Sequence, residues 1–258
     1  MKSKICILSL LLICFFVQDC FSNSNKSNTI NSTKSKKSRT KDICWTGTIN
    51  GKTPVLIHYQ LDNEVIIGEI IYLKNKAKVP IRLVGTIQNW DKKYRLLEFD
   101  KDGNITGIII GLPEKNEFNG IWTSPKTIKE LSLNLSVKDT VIFSKNYRPD
   151  LYEICGDYHY QFGDNGYQGD FSLKKLDKGL ASFSISSVTG EPERNIATID
   201  PFISNLAEEF IYVIPGTYAC EFFIKFYKDF VFVKYTNGTC IGQFGHNATI
   251  EGIYFKTK

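Results

Sequence analysis

The sequence predicts an all-β protein: two tandem meander barrels or barrel-like sheets of about eight short strands each, with little helix. Three observations predict it. From Cys44 onward the chain runs in short stretches rich in Val, Ile, Tyr, Phe and Thr, broken by Asn, Asp, Gly and Lys pairs. No stretch sustains a 3.6-residue apolar period with caps at its ends. The chain also repeats itself. Cys44-Trp-Thr-Gly is echoed by Cys155-Gly-Asp-Tyr 111 positions on, and Pro80-Ile-Arg-Leu-Val-Gly-Thr-Ile87 by Pro192-Glu-Arg-Asn-Ile-Ala-Thr-Ile199 at 112. Gly120-Ile-Trp122 and Gly252-Ile-Tyr254 answer each other at 132, so the second half carries about twenty extra residues before its end.

In chain order, Lys2 and Lys4 precede an apolar run from Ile5 to Val17, too short and wrongly flanked for a spanning helix. With Cys20-Phe-Ser22 behind it, residues 1–22 read as a signal peptide cut near Ser22. The protein is therefore expected to be exported, secreted or periplasmic. Lipid anchoring at Cys20 is the alternative, but Asp19 stands where a lipoprotein carries a small residue. No other apolar run approaches a membrane span. Residues 23–42 are Ser, Asn, Thr and Lys with one apolar residue, Ile30, and read as a disordered basic linker. Of the net charge of +5, this linker and the signal carry more than all, leaving a body close to neutral. A neutral body argues against nucleic acid as a partner. The basic linker leaves room for weak contact with an anionic envelope surface.

The first unit, 43–145, shows strands near 43–50, 53–60, 65–73, 80–88, 93–99, 105–111, 117–123 and 130–137. Asn50-Gly51, Asp62-Asn63, Asp100-Lys-Asp-Gly103 and Asn119-Gly120 supply the turns. The second unit, 146–258, shows strands near 156–162, 168–175, 179–187, 194–200, 209–214, 218–227, 230–236 and 248–256. Pro201 to Leu206 is its least strand-like stretch, and a short helical turn is expected there. The clearest hairpin runs from Tyr218 to Tyr235 about Lys228-Asp229, with apolar residues on both faces, which implies cover on both sides.

Four cysteines remain after the signal. The Lys228-Asp229 hairpin brings Cys220 opposite the region just before Cys240, so Cys220–Cys240 is the first expected disulfide. Cys44–Cys155, joining the heads of the two units, is the remainder. No Cys-x-x-Cys spacing asks for zinc. His58, His159 and His246 sit in strands or a turn with no nucleophile setting beside them. Asp100-Lys-Asp-Gly-Asn104 has its glycine too early for a calcium loop. The sequence thus offers no catalytic, metal or cofactor residues. Candidate partner-binding residues come from the aromatic stretch Tyr147 to Tyr167, chiefly Tyr158 and Tyr160, because Tyr buries area and keeps a polar handle. Arg82 and Arg194, matched in the repeat, are the candidate charged contacts.

Cys220-Glu-Phe-Phe-Ile-Lys-Phe, Val231-Phe-Val, Cys240-Ile-Gly-Gln-Phe-Gly-His-Asn247 and Gly252-Ile-Tyr-Phe-Lys256 resemble the end of small secreted bacterial all-β domains. Trp45-Thr-Gly, Ile81-Arg-Leu-Val-Gly, Leu97-Glu-Phe and Gly120-Ile-Trp-Thr look like a second small domain often placed beside it. The barrel-like pattern and the cysteine pair are loosely similar to bacterial lysozyme inhibitors. The resemblance implies secretion, a cysteine pair and an all-β fold. The expected function is an exported, non-catalytic module that binds a protein or glycan partner, in its more specific form an inhibitor of a lysozyme-like muramidase. The alternative is a lipocalin-like carrier of a small apolar ligand in a barrel mouth.

Overall fold

Turn chemistry sets the strand boundaries. Asn50 and Gly51 both adopt positive φ, 52° and 63°, the backbone that a two-residue hairpin turn needs. They join β1 (Ile43–Ile49) to β2 (Thr53–Asp62). The computed structural model describes residues 41–140, 142, 147–217, 220–237, 240 and 242–257. The expected signal peptide, and the linker up to residue 40, lie outside these residues. Lys41 and Asp42 do not belong to a linker: Asp42 is buried and its N–H donates to the Ile142 carbonyl at 2.8 Å.

The meander continues through β3 (Val65–Tyr72), β4 (Ile81–Ile87), β5 (Tyr94–Phe99), β6 (Asn104–Glu114), β7 (Glu117–Thr123) and β8 (Glu130–Val137). β8 then pairs back onto β1 from Trp45–Val137 to Ile49–Leu133, closing an antiparallel eight-stranded barrel. Closure leaves no edge on this set. Trp45, Ile57, Tyr59, Ile66, Leu83, Leu96, Ile109 and Phe118 fill its interior.

The second set comprises β9 (Gly156–Phe162), β10 (Gln168–Lys175), β11 (Leu180–Val188), β12 (Ile196–Asn205), β13 (Glu209–Val213), β14 (Glu221–Phe226), β15 (Phe230–Asn237) and β16 (Gly252–Lys256). One 3-10 turn, Asp177–Gly179, lies between β10 and β11. β16 pairs with β9 much as β8 pairs with β1. The ring stops short of closure, because among the described residues β12 pairs with β11 alone and β13 with β14 alone. The equivalent strands of the first set, β4 and β5, share a ladder from Arg82–Phe99 to Ile87–Tyr94. Across the open seam the packing persists: the Phe202 and Tyr212 rings lie 4.8 Å apart. Gly120-Ile-Trp122 falls in the seventh strand of its set and Gly252-Ile-Tyr254 in the eighth, so that echo does not mark equivalent strands.

β12 runs through Pro201 to Asn205 as strand and not as the helical turn expected there, and the seam explains why. Its register on β11 slips between Phe183–Phe202 and Ile185–Ile199, a bulge holding Asp200 and Pro201. On a strand with one neighbour, a proline at a bulge removes no ladder bond.

The outer wall of the first barrel is as apolar as its inside. In β3, Ile66 and Ile70 point inward, while Val65 and Ile67 belong to the core of the second set. Val84, Leu97, Phe99 and Ile105 follow them outward, and Phe99 stacks on Phe255 at 5.5 Å. β6 and β9 also meet in a short parallel contact at Asn104–Gln161 and Ile105–Phe162, so all sixteen strands belong to one sheet, with β10, β11 and β12 branching from it at β9. β15 buries Phe230, Val231, Phe232 and Val233 in succession, all within the core that the second set shares with this outer wall, as its two-faced sequence implies.

Cys220 and Cys240 are bonded, with a sequence separation of 20. Cys44 and Cys155 are free. The Cys44 thiol donates to the Thr140 carbonyl at 3.4 Å within the first barrel, whereas Cys155 packs against the core of the second set, so the expected bond between them does not form. Replacing Cys220 and Cys240 together with Ala should lower the unfolding free energy by about 3 kcal/mol on the chain-entropy model. Urea denaturation followed by far-UV circular dichroism measures it. An unchanged midpoint would show that the β14–β15 pairing alone constrains this loop.

Candidate ligand cleft

The residues expected to bind a partner take other places. Along β9 the side chains alternate, so Asp157, His159 and Gln161 face outward while Tyr158 and Tyr160 turn into the core. Tyr158 is 1% exposed and its hydroxyl donates to the Ile154 carbonyl. Tyr160 is 4% exposed and packs edge-on against Tyr254 at 4.9 Å. Tyr158 offers no exposed surface, whereas Tyr160 edges the cleft described below. Arg82 is half-buried, ion-paired with Asp229 at the β14–β15 turn and set 4.9 Å over the Tyr147 ring. It ties the two sets together. Its repeat counterpart Arg194 is exposed in the turn before β12, at φ 52°.

Arg82 ends a buried polar chain. Asp42 Oδ2 meets His58 Nδ1 at 2.9 Å, His58 Nε2 meets Glu69 Oε2 at 3.5 Å, and Glu69 lies 4.0 Å from Arg82. A second buried carboxylate, Glu98, accepts from Trp122 Nε1 at 2.7 Å and from the Tyr72 hydroxyl at 2.9 Å. Burial raises the Glu98 pKa, and a side chain at Gly107 would collide with both Glu98 and Trp122. In both clusters most of the polar atoms meet one another, and in the first Asp229 Oδ1 is buried without a hydrogen-bond partner among the described residues. Among the described residues no group of three His, Cys, Asp or Glu could hold a metal ion.

What the fold does open is a cleft of about 890 Å³ outside both barrels, where the first set's wall meets the second. Its floor is apolar, from Leu97 and Ile105 on β5 and β6 and from Phe232 and Ile253 on β15 and β16. Tyr160, Phe162 and Tyr167 line one side. At the rim stand Trp90, 81% exposed, and Ile128, 80% exposed. Trp90 lies in the β4–β5 turn, where its indole N–H donates to Gln88 Oε1 at 3.2 Å. Ile128 lies in the β7–β8 turn with φ 52°, a conformation that costs a β-branched residue on the order of 1–3 kcal/mol. Both turns thus spend a large apolar side chain on solvent beside an apolar floor.

Charge in the cleft is sparse. Lys234 Nζ pairs with Glu64 at 2.6 Å. Glu251 accepts the Tyr235 N–H at 2.8 Å, and burial raises its pKa. Arg95 reaches the cleft from β5, its guanidinium 5.9 Å from the centre of the Phe162 ring. Sequence reasoning overlooked Trp90, Arg95 and Ile128. The visible signal was a bulky apolar residue inside a polar turn: Gln-Asn-Trp-Asp at 88–91 and Lys-Thr-Ile-Lys at 126–129.

Among the described residues no helix is long and apolar enough to cross a membrane. Comparison of the chain with protein-family models, with curated proteins and with solved structures finds no match.

The His58 contacts generate a pH dependence. Burial alone would disfavour the imidazolium, but hydrogen bonds to Glu69 and Asp42 outweigh it, and the folded pKa lies above the ordinary value. A raised pKa contributes stability that is complete below about pH 6.5 and is lost as pH rises through the folded value. His58→Gln should therefore lose more stability, relative to the unaltered protein, at pH 6 than at pH 9. Thermal melts at the two values check this; an equal loss at both would mean that the imidazole is neutral in the fold.

Proposed function

We propose that the protein is a non-catalytic binding protein that takes one small, largely apolar molecule in the cleft between its two sets of strands. The observation that carries this reading is the cleft itself. Its volume falls within the range of small-ligand sites, its floor is apolar, and its rim holds Trp90 and Ile128 out in water. Backbone strain at Ile128 supports it, since strained residues gather at ligand clamps. The reading keeps the expected carrier role but moves the ligand from a barrel mouth to the outer wall. Both barrel interiors are filled by side chains such as Phe118 in the first and Phe171, Phe183 and Tyr254 in the second.

A protein partner is the second reading, favoured by the open seam. There Ile203, Ile211 and Val213 are exposed beside strand edges that lack a neighbour. Inhibition of a lysozyme-like muramidase is its specific form, and protection of cell walls from c-type and i-type lysozymes at micromolar protein tests it directly.

For the cleft, a neutral probe that fluoresces in apolar surroundings, N-phenyl-1-naphthylamine, should bind with one-to-one stoichiometry and quench Trp90. Ile108→Trp, which fills the cleft from β6, should weaken that binding at least tenfold with an unchanged far-UV spectrum. Probe uptake indifferent to this substitution would remove the cleft as the site.

A further inference from the structure

The charges around the cleft narrow the class of molecule it holds, on the premise that the cleft is a binding site. Four charged side chains line it: Glu64, Lys234, Glu251 and Arg95. Lys234 and Glu64 neutralise each other at 2.6 Å. Glu251 is engaged by the Tyr235 N–H at 2.8 Å, and its burial favours the uncharged acid. Arg95 differs from all three. Among the described residues no carboxylate lies within 4.0 Å of it and its guanidinium makes no hydrogen bond; its contact is the face of Phe162 at 5.9 Å. Arg95 is exposed to solvent, and partial desolvation by the protein around it lowers its pKa. A guanidinium cannot shed its charge at any ordinary pH, so it stays a cation with its N–H donors available at the cleft.

We infer that the cleft binds a singly charged amphipathic carboxylate, its acid group held by Arg95 and its apolar body laid over Leu97, Ile105, Phe232 and Ile253. A planar guanidinium matches a carboxylate with two parallel N–H···O bonds, and such charge-assisted bonds strengthen where water is displaced. A multiply charged anion fits poorly, because among the described residues Arg95 is the one cation lining the cleft that is left to answer it once Lys234 is paired with Glu64. Trp90, Phe162 and Tyr167 give the body flat faces to lie against.

Displacement of N-phenyl-1-naphthylamine at pH 7.5 by octanoate and by octan-1-ol tests the inference, since the two differ in the acid group. Octanoate should displace the probe at a concentration at least tenfold below that of the alcohol. Arg95→Gln should abolish this preference while leaving affinity for the neutral probe within twofold, and Arg95→Lys, which keeps the charge, should retain part of it. Equal displacement by acid and alcohol, or a preference that survives Arg95→Gln, would overturn the carboxylate and leave the cleft standing as a site for neutral molecules. If the probe does not bind the unaltered protein at all, the cleft is not a site and both conclusions fall together.

Discussion

The apolar outer wall of the first barrel is the constraint on which the rest of the molecule depends. A closed barrel needs one apolar face, toward its own interior; strands β3 to β6 have two. Val65, Ile67, Val84, Leu97, Phe99 and Ile105 would face water if the first set stood alone. Burying one such side chain is worth about 1.5–3 kcal/mol, so the second set is held to that wall by a large share of its own folding energy. The same wall obliges β15 to be apolar on both faces, and it sets where the cleft opens, at the place where the second set stops covering it.

Polar contacts across this junction fix its register more than its strength. Tyr227 donates to Asp62 at 2.9 Å, Lys225 pairs with Asp62 at 3.0 Å, and Lys234 with Glu64. These groups keep some contact with water, and pairs of that kind contribute modestly. The Asp42–His58–Glu69–Arg82–Asp229 chain is more deeply buried, and removing one member would cost its neighbours a contact that water cannot readily replace. Together they oppose sliding of one apolar surface over the other, which hydrophobic contact by itself does not prevent.

The strands were legible because each break carries its own local chemistry: Asn50-Gly51 turns whatever surrounds it. Pro201 was not, since the cost of a proline in a strand depends on whether a second neighbour exists, and that is a property of the sheet. Tyr158 and Tyr160 show a different failure. Asp157, His159 and Gln161 between them mark the tyrosines as inward by alternation, and aromatic density along a strand says nothing of which face the rings take. Arg82 and Arg194 match in sequence, yet one lies in a strand and the other in the turn before one, so a shared motif did not carry a shared role. The cleft was out of reach for a simpler reason. Its walls come from positions as far apart as Glu64 and Ile253, and nothing local to either announces the other.

The gap between β12 and β13 changes what the second set can tolerate. A ring of paired strands has a fixed girth, so its contents must add up to one volume and each inner side chain is coupled to all the others. The first set works under that rule. In the second, the ring is cut where Phe183, Phe202 and Tyr212 crowd together, and a larger or smaller ring there moves two free edges without breaking a backbone ladder. Of the two eight-stranded sets, the split one is therefore the one in which core residues can drift in size independently, and the sealed one is the one in which they must change in concert.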